Sequence, residues 1–474
     1  MRIVNTLLAL AVGLTASAQN AYEIKVTLKP FKNQYIYLGH YFGKTLPIID
    51  SVKLNEKSEG VFKGSKKLGG GIYLIGYPDR SQNFEILVDK NQRFSVIADT
   101  ATIAKTITFQ NSPDNAQFRA YQQYMASNGK TLDALYKQRT AQPQDSVALT
   151  QKIIAVNKQI HDYRVNIMTK NPNSLLTVLL KAMRDPEVPK NAPEAKTDSL
   201  FGYHYFKAHY WDGVNFWDDR LARTPFFEAR LDRYFEQLVY PDADSVIKEL
   251  DWMLGYASIS EDMQRFLLVK YVNRYLNQKY MWEDKVFVHL YEKYFSQKTY
   301  PWLNEQGKKV ITDRAYSLMA NIMGTPAADV ELPDTSGKKI NLYSVNSPYT
   351  LLVIWDPTCG HCKELVPKLD SLLHSKWKAQ GVQMFGLAKE TEGSKKDWMN
   401  MIHDHKLNDW VHVYYSKADE KARIDAGVPG YSQLFDVQSF PTLYLLDKDK
   451  RIIAKKVTEE QVDEILAVRQ KNKS

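Results

Sequence analysis

The chain has 474 residues, of which 44% are hydrophobic and 12% aromatic, so it can bury sizeable cores and is expected to form about two to four domains. Its formal net charge is +9, but basic pairs such as Lys66-Lys67 and Lys395-Lys396 are scattered along the chain. A nucleic-acid groove would need a basic stripe with interleaved aromatic residues. We therefore expect a globular protein that has no nucleic-acid partner.

Residues 1–18, MRIVNTLLALAVGLTASA, have the pattern of a signal peptide. Arg2 precedes an apolar run, and Ala16-Ser17-Ala18 is the small-x-small sequence that a signal peptidase accepts. The alternative is an uncleaved N-terminal anchor. No later apolar run reaches the roughly 18–20 residues that span a bilayer. The sequence thus predicts a periplasmic protein that is soluble or peripherally associated with a membrane.

Residues 19–110 are predicted to form a β-sandwich-like domain, because short alternating runs are separated by Asn, Gly and Asp. The predicted strands are YEIKVTLK, QYIYLG, GIYLIG, FEILVDK and FSVIAD. Residues 111–323 change to helical spacing, as in FFEARLDRYFEQLV, and predict an α-helical domain. The proline-containing stretch DPEVPKNAPEAKTD predicts a loop or an internal linker within that domain.

The helical region contains an aromatic segment, YHYFKAHYWDGVNFWDDR, which begins at Tyr203. Such a cluster could hold a sugar or a peptide against its rings, or it could pack in a core or between domains, which we favour. His204 and His209 do not have the i, i+4 spacing of two ligands on one helical face. We expect neither a metal nor a cofactor.

Residues 324–474 alternate strand and helix patterns. The predicted strands are YTLLVIW, VQMFGLA and WVHVYYS, followed by a closing pair, SFPTLYLLD and RIIAKKV. The predicted helices run from Cys359 to Trp377, from Lys395 to Lys406 and from Thr458 to Lys471. This order predicts an α/β domain with a parallel central sheet covered on both faces. The whole chain is therefore expected to be a multidomain α+β protein.

Both cysteines of the chain lie in Cys359-Gly360-His361-Cys362, where a buried strand gives way to a helix. The backbone N–H groups at a helix N-terminus favour a thiolate, so Cys359 is the predicted nucleophile. Cys362, one turn later, is the predicted resolving thiol that closes a Cys359–Cys362 disulfide. A positive charge on His361 would stabilise the reduced form and make the pair less reducing.

Two other uses of a Cys-x-x-Cys pair fit poorly. A zinc site needs further ligands, but the chain has no other cysteine, and His403 and His405 are spaced i, i+2. Haem attachment needs a histidine directly after Cys362, where the chain has Lys363. A redox function is therefore predicted.

The segment WDPTCGHC, followed some eighty residues later by SFPT, resembles the exported thioredoxin-fold thiol-disulfide oxidoreductases of the TlpA and ResA type. The lead-in AADVELPDTSGKKINLYSV resembles the extra N-terminal hairpin of that group, and the first two thirds of the chain resemble β-rich and helical modules that precede such domains. The resemblance implies a cis peptide at Pro441 and substrate-binding backbone groups at Phe440 and Thr442. Trp355 matches the aromatic residue before the active-site loop, with core packing as its alternative function.

The chain departs from the family pattern at the proton acceptor for Cys362. Thioredoxins have a buried acid where this chain has Val353, and TlpA-like proteins often have a glutamate where it has Leu365. Glu364 is one position away, which is about 100° around a helix. Glu364, Asp356 and water remain candidates.

The sequence thus predicts a thiol-disulfide oxidoreductase that acts on cysteine-containing exported proteins and is served by a membrane electron donor or acceptor. The alternative is an exported glycan- or peptide-binding protein with an accessory redox domain. A peroxidase is disfavoured, because its usual motif would place Thr at Asp356 and Pro at Leu352. Both directions of electron flow, reduction and oxidation of the substrate, are consistent with the motif.

Overall fold

A computed structural model describes residues 21–471, so the predicted signal peptide lies outside the described residues. The chain divides into two compact units. The first comprises the residues up to Val239 together with Asp251–Leu267, and the second comprises Tyr240–Leu250 and the residues from Leu268 onward. Among residues 21–471, no helix is both long enough and apolar enough to cross a bilayer. The domain boundaries inferred from the sequence stay a prediction.

The first unit begins with two four-stranded sheets. One has the order β4-β1-β7-β8 and the other β3-β2-β5-β6, and all neighbours are antiparallel except β1 and β7, which are parallel. The strands are β1 (Tyr22–Lys29), β2 (Tyr35–His40), β3 (Ile48–Lys53), β4 (Glu59–Gly64), β5 (Gly71–Gly76), β6 (Asn83–Val88), β7 (Arg93–Asp99) and β8 (Thr108–Gln110).

One apolar core joins these two sheets, which confirms the sandwich-like prediction. Ile24 of β1 and Val96 of β7 come from one sheet, and Leu38 of β2 and Ile86 of β6 come from the other. Strand β1 alternates buried and more exposed residues, as expected for a strand with one face in the core. The sequence missed β3, β4 and β8. Strand β3 has no buried residue, so it lacks the alternation that identified the others.

A one-turn helix, α1 (Ile103–Thr106), precedes β8, and the other helices follow that strand, as predicted. The helices after β8 are α2 (Pro113–Ala141), α3 (Ser146–Lys170), α4 (Leu175–Ala182), α5 (Phe201–His209), α6 (Phe227–Gln237), α7 (Ala243–Ala257), α8 (Glu261–Leu276), α9 (Glu283–Leu290) and α10 (Glu305–Met319). Helix α6 buries one face, including Leu231 and Tyr234, as its spacing predicted. The proline-containing stretch is irregular apart from a single 3₁₀ turn, Pro193–Lys196.

The aromatic segment contributes to the core of the first unit. Tyr210 and Phe216 are buried, and the Tyr210 ring lies 5.3 Å from that of Tyr234. The guanidinium of Arg230 sits 4.2 Å from the Tyr210 ring and donates to its backbone carbonyl at 2.5 Å. These contacts agree with the packing interpretation rather than with an open ligand platform.

The second unit ends in an α/β domain, which begins with the short antiparallel pair β9 (Glu331–Pro333) and β10 (Lys339–Asn341). Its five-stranded sheet has the order β13-β12-β11-β14-β15. Its remaining elements are β11 (Tyr349–Trp355), α11 (Gly360–Leu372), β12 (Val382–Lys389), α12 (Lys395–Asp404), β13 (Val411–Tyr415), α13 (Lys417–Asp425), α14 (Tyr431–Leu434), β14 (Thr442–Asp447), β15 (Ile452–Lys455) and α15 (Glu459–Lys471).

The prediction of a parallel sheet is wrong for two of its strands. Strands β11, β12 and β13 are parallel, but β14 is antiparallel to β11 and β15 is antiparallel to β14. After β13 the chain runs through α13 and α14 at the end of the sheet where β11 finishes, and it re-enters from there. This reversal brings the residues before β14 next to the end of β11.

Strand β11 is the centre of the domain, and all seven of its residues are buried. Leu351, Val353 and Trp355 belong to one apolar cluster, whereas Leu352 and Ile354 belong to a second. Because alternate side chains of a strand point to opposite faces, the two clusters lie on the two faces of the sheet. This confirms the prediction of a sheet covered on both sides, which holds the end of β11 in place.

Candidate active site

The two cysteines lie where β11 passes into α11. Cys359 is the N-cap residue of α11, and Gly360 is its first helical residue. The Cys359 amide donates to the Asp356 carbonyl at 3.2 Å, and the Lys363 amide donates to the Cys359 carbonyl at 3.1 Å. Both cysteines are free thiols. The turn therefore places Cys359 at the positive end of the helix dipole, as the sequence predicted.

The two thiols differ in their surroundings. Cys359 is half-buried, whereas Cys362 is fully buried within the apolar cluster on one face of the sheet. Burial and the neighbouring Cys359 together raise the pKa of Cys362 to about 12, although the Asp356 amide donates to the Cys362 sulfur at 3.5 Å and opposes the shift. Cys362 is therefore a protonated, enclosed thiol, and Cys359 is the one that a second molecule can reach.

The loop before β14 lies against Cys359. The Cys359 thiol points at the carbonyl oxygen of Phe440, with 3.7 Å between sulfur and oxygen. The peptide bond between Phe440 and Pro441 is cis. The Thr442 hydroxyl donates to the Ser439 carbonyl at 2.7 Å, so this buried side chain closes the loop upon itself. The structure thus brings Phe440 to the cysteines and leaves the Thr442 side chain turned inward.

The remaining predicted residues take different positions. Trp355 is fully buried in the cluster that holds Cys362, which favours the packing interpretation. Gly360, His361 and Glu364 are exposed on the first turns of α11. Glu364 therefore does not share the enclosed environment of Cys362.

Asp356 does share that environment. Its side chain is buried, and one carboxylate oxygen accepts from the Thr358 amide and from the Thr358 hydroxyl, both at 2.7 Å. Tyr414 lies in the same apolar cluster as Cys362, and nothing in the sequence indicated this. Burial, together with the charges of Glu390, Asp397 and Asp356, raises the pKa of Tyr414 to about 12. A buried carboxylate and a buried phenol thus lie on the Cys362 side of the site.

Sequence reasoning also missed what anchors residues 435–441, the segment between α14 and β14 that we call the Phe440 loop. Asp436 is buried, and its carboxylate accepts from Arg314 of α10 at 2.7 Å and from Lys456. Burial alone would raise the pKa of Asp436, but these two cations outweigh it and lower the pKa. Arg314 and Asp436 are 122 positions apart, so no local pattern could have revealed this pair.

Metal binding has no support in the described part of the chain. Within residues 21–471, no group of three or more His, Cys, Asp or Glu side chains is arranged to hold an ion. His403 points its Nδ1 at the neighbouring Asp404 carboxylate on an exposed helix end. The site as described above consists of the two thiols, the Phe440 carbonyl and the buried Asp356.

Comparison with known proteins gives two family matches. Residues 137–321 match the model of a domain of unknown function, DUF5106, and residues 323–455 match the AhpC/TSA family model. The C-terminal region is similar to the thiol-disulfide oxidoreductase ResA of Bacillus cereus, at 27% identity over 150 residues, which is 31% of this chain and 78% of the relative. ResA of Bacillus anthracis is 25% identical over 144 residues, which cover 30% and 74%.

One solved structure extends over more of the chain. It is a thioredoxin-like protein from Bacteroides caccae, which is 23% identical, with a TM-score of 0.42. The likeness covers 60% of this chain and 98% of that one.

Proposed function

Because the C-terminal region of this chain is a thioredoxin-like domain homologous to the ResA thiol-disulfide oxidoreductases, we propose that the chain exchanges disulfides with exported, cysteine-containing proteins in the periplasm. The observation that carries the proposal is the pairing of a reachable Cys359, at a helix N-terminus and 3.7 Å from the Phe440 carbonyl, with a buried Cys362 one turn away.

The exchange proceeds in two displacements. The Cys359 thiolate attacks one sulfur of a substrate disulfide, which forms a mixed disulfide and releases the other substrate sulfur as a thiolate. Cys362 then loses its proton and attacks the sulfur of Cys359, which releases the second substrate thiolate and leaves a Cys359–Cys362 disulfide. Two electrons have passed from the chain to the substrate. The reverse sequence oxidises a substrate dithiol.

The Phe440 loop would hold the substrate during these steps. The Phe440 carbonyl lies beside the attacking sulfur, where it can accept a hydrogen bond from a polypeptide backbone laid across Cys359. A membrane donor would restore the dithiol in a reductase, and a membrane acceptor would restore the disulfide in an oxidase. The exchange chemistry is the same for both.

Two substitutions test the proposal. In Cys359→Ser the chain should lose exchange with a model disulfide, because no nucleophile remains at the reachable position. In Cys362→Ala the first displacement still occurs but the second cannot, so mixed disulfides with exported proteins should accumulate on non-reducing gels. Exchange that persists in Cys359→Ser would refute the mechanism, and a Cys362→Ala chain that traps no exported protein would refute the substrate class.

A further inference from the structure

A groove of about 810 Å³ lies in the second unit, next to the loop that carries Phe440. It is lined by the linker between α8 and α9, one face of α10 and the end of β15. Gln438 is exposed and is the lining residue nearest in sequence to Phe440, so we call its position the edge of the groove. Because Gln438 is two residues before Phe440, this edge lies within about 7 Å along the chain of the residue that faces Cys359.

The groove is formed by fixed contacts. The Lys455 amide of β15 donates to the Met281 sulfur at 3.3 Å, which holds the linker against the edge strand of the sheet. Arg314 of α10 donates to the Gln278 side chain at 2.6 Å and also to Asp436 at 2.7 Å. One guanidinium therefore joins the linker to the Phe440 loop, whose Gln438 lines the groove and whose Phe440 faces Cys359.

The lining suits an extended polypeptide. Tyr280 is 60% exposed, and its ring is parallel to that of Trp282, with 6.1 Å between centroids, so it offers a flat apolar surface at the groove. Asn277 and Gln438 are exposed amides, which can donate to and accept from a peptide backbone. A volume of this size exceeds the space that one side chain needs and lies within the range of ligand sites.

The charges of the lining residues favour a polypeptide segment that carries an acidic side chain. Four cationic residues and two acidic ones line the groove, namely Lys279, Arg314, Lys455, Lys456, Asp284 and Asp313. Lys455 is paired with Asp284, Asp313 with Lys309, and both Arg314 and Lys456 with Asp436. Lys279 is exposed beside Tyr280, where it would attract an acidic side chain and repel a basic one.

We propose that this groove binds the residues flanking the substrate cysteine, as an extended segment with an apolar residue on Tyr280 and an acidic residue near Lys279. The inference rests on the proposed function, because the cysteine itself must reach Cys359. At about 3.3 Å per residue, the positions that enter the groove lie roughly two to five residues from that cysteine. The helical segment of the second unit thereby becomes part of the substrate site.

Three chromogenic mixed disulfides test the inference on the full chain. All carry the same aromatic thiol leaving group. One is built on N-acetylcysteine amide, which has no flanking residues. The other two are ten-residue peptides with a central cysteine and either acidic or basic flanks. The measured quantity is the second-order rate constant of thiol release by the reduced protein.

The acidic peptide should react at least tenfold faster than the single-cysteine probe and at least threefold faster than the basic peptide. Tyr280→Ala should reduce the advantage of the acidic peptide over the single-cysteine probe at least threefold. Lys279→Glu should make the basic peptide react faster than the acidic one. Gln438→Ala, at the edge of the groove, is an independent third variant and should also reduce the advantage of the acidic peptide over the single-cysteine probe. The matched controls Tyr240→Ala and Lys308→Glu alter exposed residues outside the groove and should change none of the three rates.

Two results would overturn the inference but leave the proposed function intact. One is equal reaction of all three probes, and the other is an acidic-peptide advantage that survives every groove variant. Concentration-dependent dimers that Lys279→Glu abolishes would assign the groove to a second copy of the chain and would also overturn it. If none of the probes reacts, including N-acetylcysteine, the proposed function fails and the inference fails with it.

Discussion

Arg314 of helix α10 donates a 2.7 Å hydrogen bond to Asp436, which lies five residues before Pro441. Asp436 has a φ of 43°, in the left-handed region that few residues other than glycine adopt. Arg314 and Lys456 hold its carboxylate in this conformation. The loop that reaches Cys359 is thus fixed by a cation from the helical segment as well as by its own domain.

Replacing Asp436 by Asn should lower the free energy of unfolding of the second unit by about 2 kcal/mol, because Arg314 and Lys456 lose a buried counter-charge. Asn tolerates the left-handed backbone, so the loss measures charge rather than strain. Urea unfolding measures the change. Asp425→Asn is the matched control, since its pair with Lys421 is exposed and its loss should cost less than about 0.5 kcal/mol. Equal losses in both variants would contradict the anchoring function.

Asp356 is the proposed proton acceptor for Cys362. It is buried and its amide contacts the Cys362 sulfur, whereas Glu364 is exposed. Asp356→Asn should slow resolution of a preformed mixed disulfide about tenfold at pH 7, and Glu364→Gln should leave the rate unchanged. Stopped-flow release of the substrate thiol measures this step. A faster Asp356→Asn protein would mean that the carboxylate acts only by opposing the thiolate.

The raised pKa of Cys362 predicts a pH dependence for the same step. A thiol whose pKa is about 12 is almost wholly protonated at neutral pH, and its thiolate fraction rises tenfold for each pH unit below that value. In Asp356→Asn, where solvent must remove the proton, the resolution rate should therefore increase steadily from pH 7 to pH 9, whereas the rate of the parent should change less because its carboxylate accepts the proton directly. A rate that levels off below pH 8 would show that Cys362 ionises more easily in the mixed disulfide. Initial attack by Cys359 is followed in parallel as the comparison.

The sequence predicted the redox domain far better than its surroundings. Cys359, Cys362 and Pro441 belong to ordered motifs, WDPTCGHC and SFPT, and the resemblance of this domain to ResA that they indicated is confirmed by the matches of the C-terminal region to ResA and to the AhpC/TSA model. The antiparallel course of β14 was missed, because a strand's direction depends on where the preceding chain crosses the sheet. Asp356 was one of three open candidates, since burial of its carboxylate arises only when the sheet and α11 pack together. The contact between Arg314 and Asp436 could not be predicted, because the two residues are 122 positions apart in the sequence.

His361 is expected to adjust the reduction potential. It is exposed on the first turn of α11, two residues after Cys359, and a positive charge there would stabilise the Cys359 thiolate. His361→Gln should make the pair more reducing by roughly 10–20 mV. Equilibration with glutathione buffers measures the shift. His374→Gln, at an exposed position later along the same helical stretch, is the control, and an equal shift in both variants would argue against a local charge effect.

Lys455 and Asp284 form a buried ion pair between β15 and α9. Burial raises the pKa of Asp284 and lowers that of Lys455, so each charge depends on the other. The Lys455 ammonium also donates to the carbonyl and the side chain of Asn321, at 2.7 and 2.6 Å. Lys455→Met should therefore destabilise the second unit by about 3–5 kcal/mol, because it leaves Asp284 buried without a partner. Adding Asp284→Asn should recover part of the loss, and unfolding of both single variants and the double variant measures the coupling.

His412 should make the second unit acid-sensitive. Burial lowers its pKa to about 4, and its Nε2 lies 2.7 Å from the Leu407 carbonyl, so Nε2 carries the proton of a neutral ring. In the unfolded chain the pKa is about 6.5. Between these two values the unfolded chain binds a proton that the folded chain does not, so the free energy of unfolding falls as the pH decreases from 6.5 to 4.

The loss attributable to His412 approaches roughly 3 kcal/mol at pH 4 and vanishes above pH 7, where the ring is neutral in both states. His412→Leu should be less stable than the parent at pH 7, because a hydrogen bond is lost, but its stability should fall less steeply on acidification. His403→Gln, at an exposed site, should follow the parent curve. Urea unfolding at half-unit pH steps measures all three proteins. Parallel curves for His412→Leu and the parent would show that carboxylates alone cause the acid sensitivity.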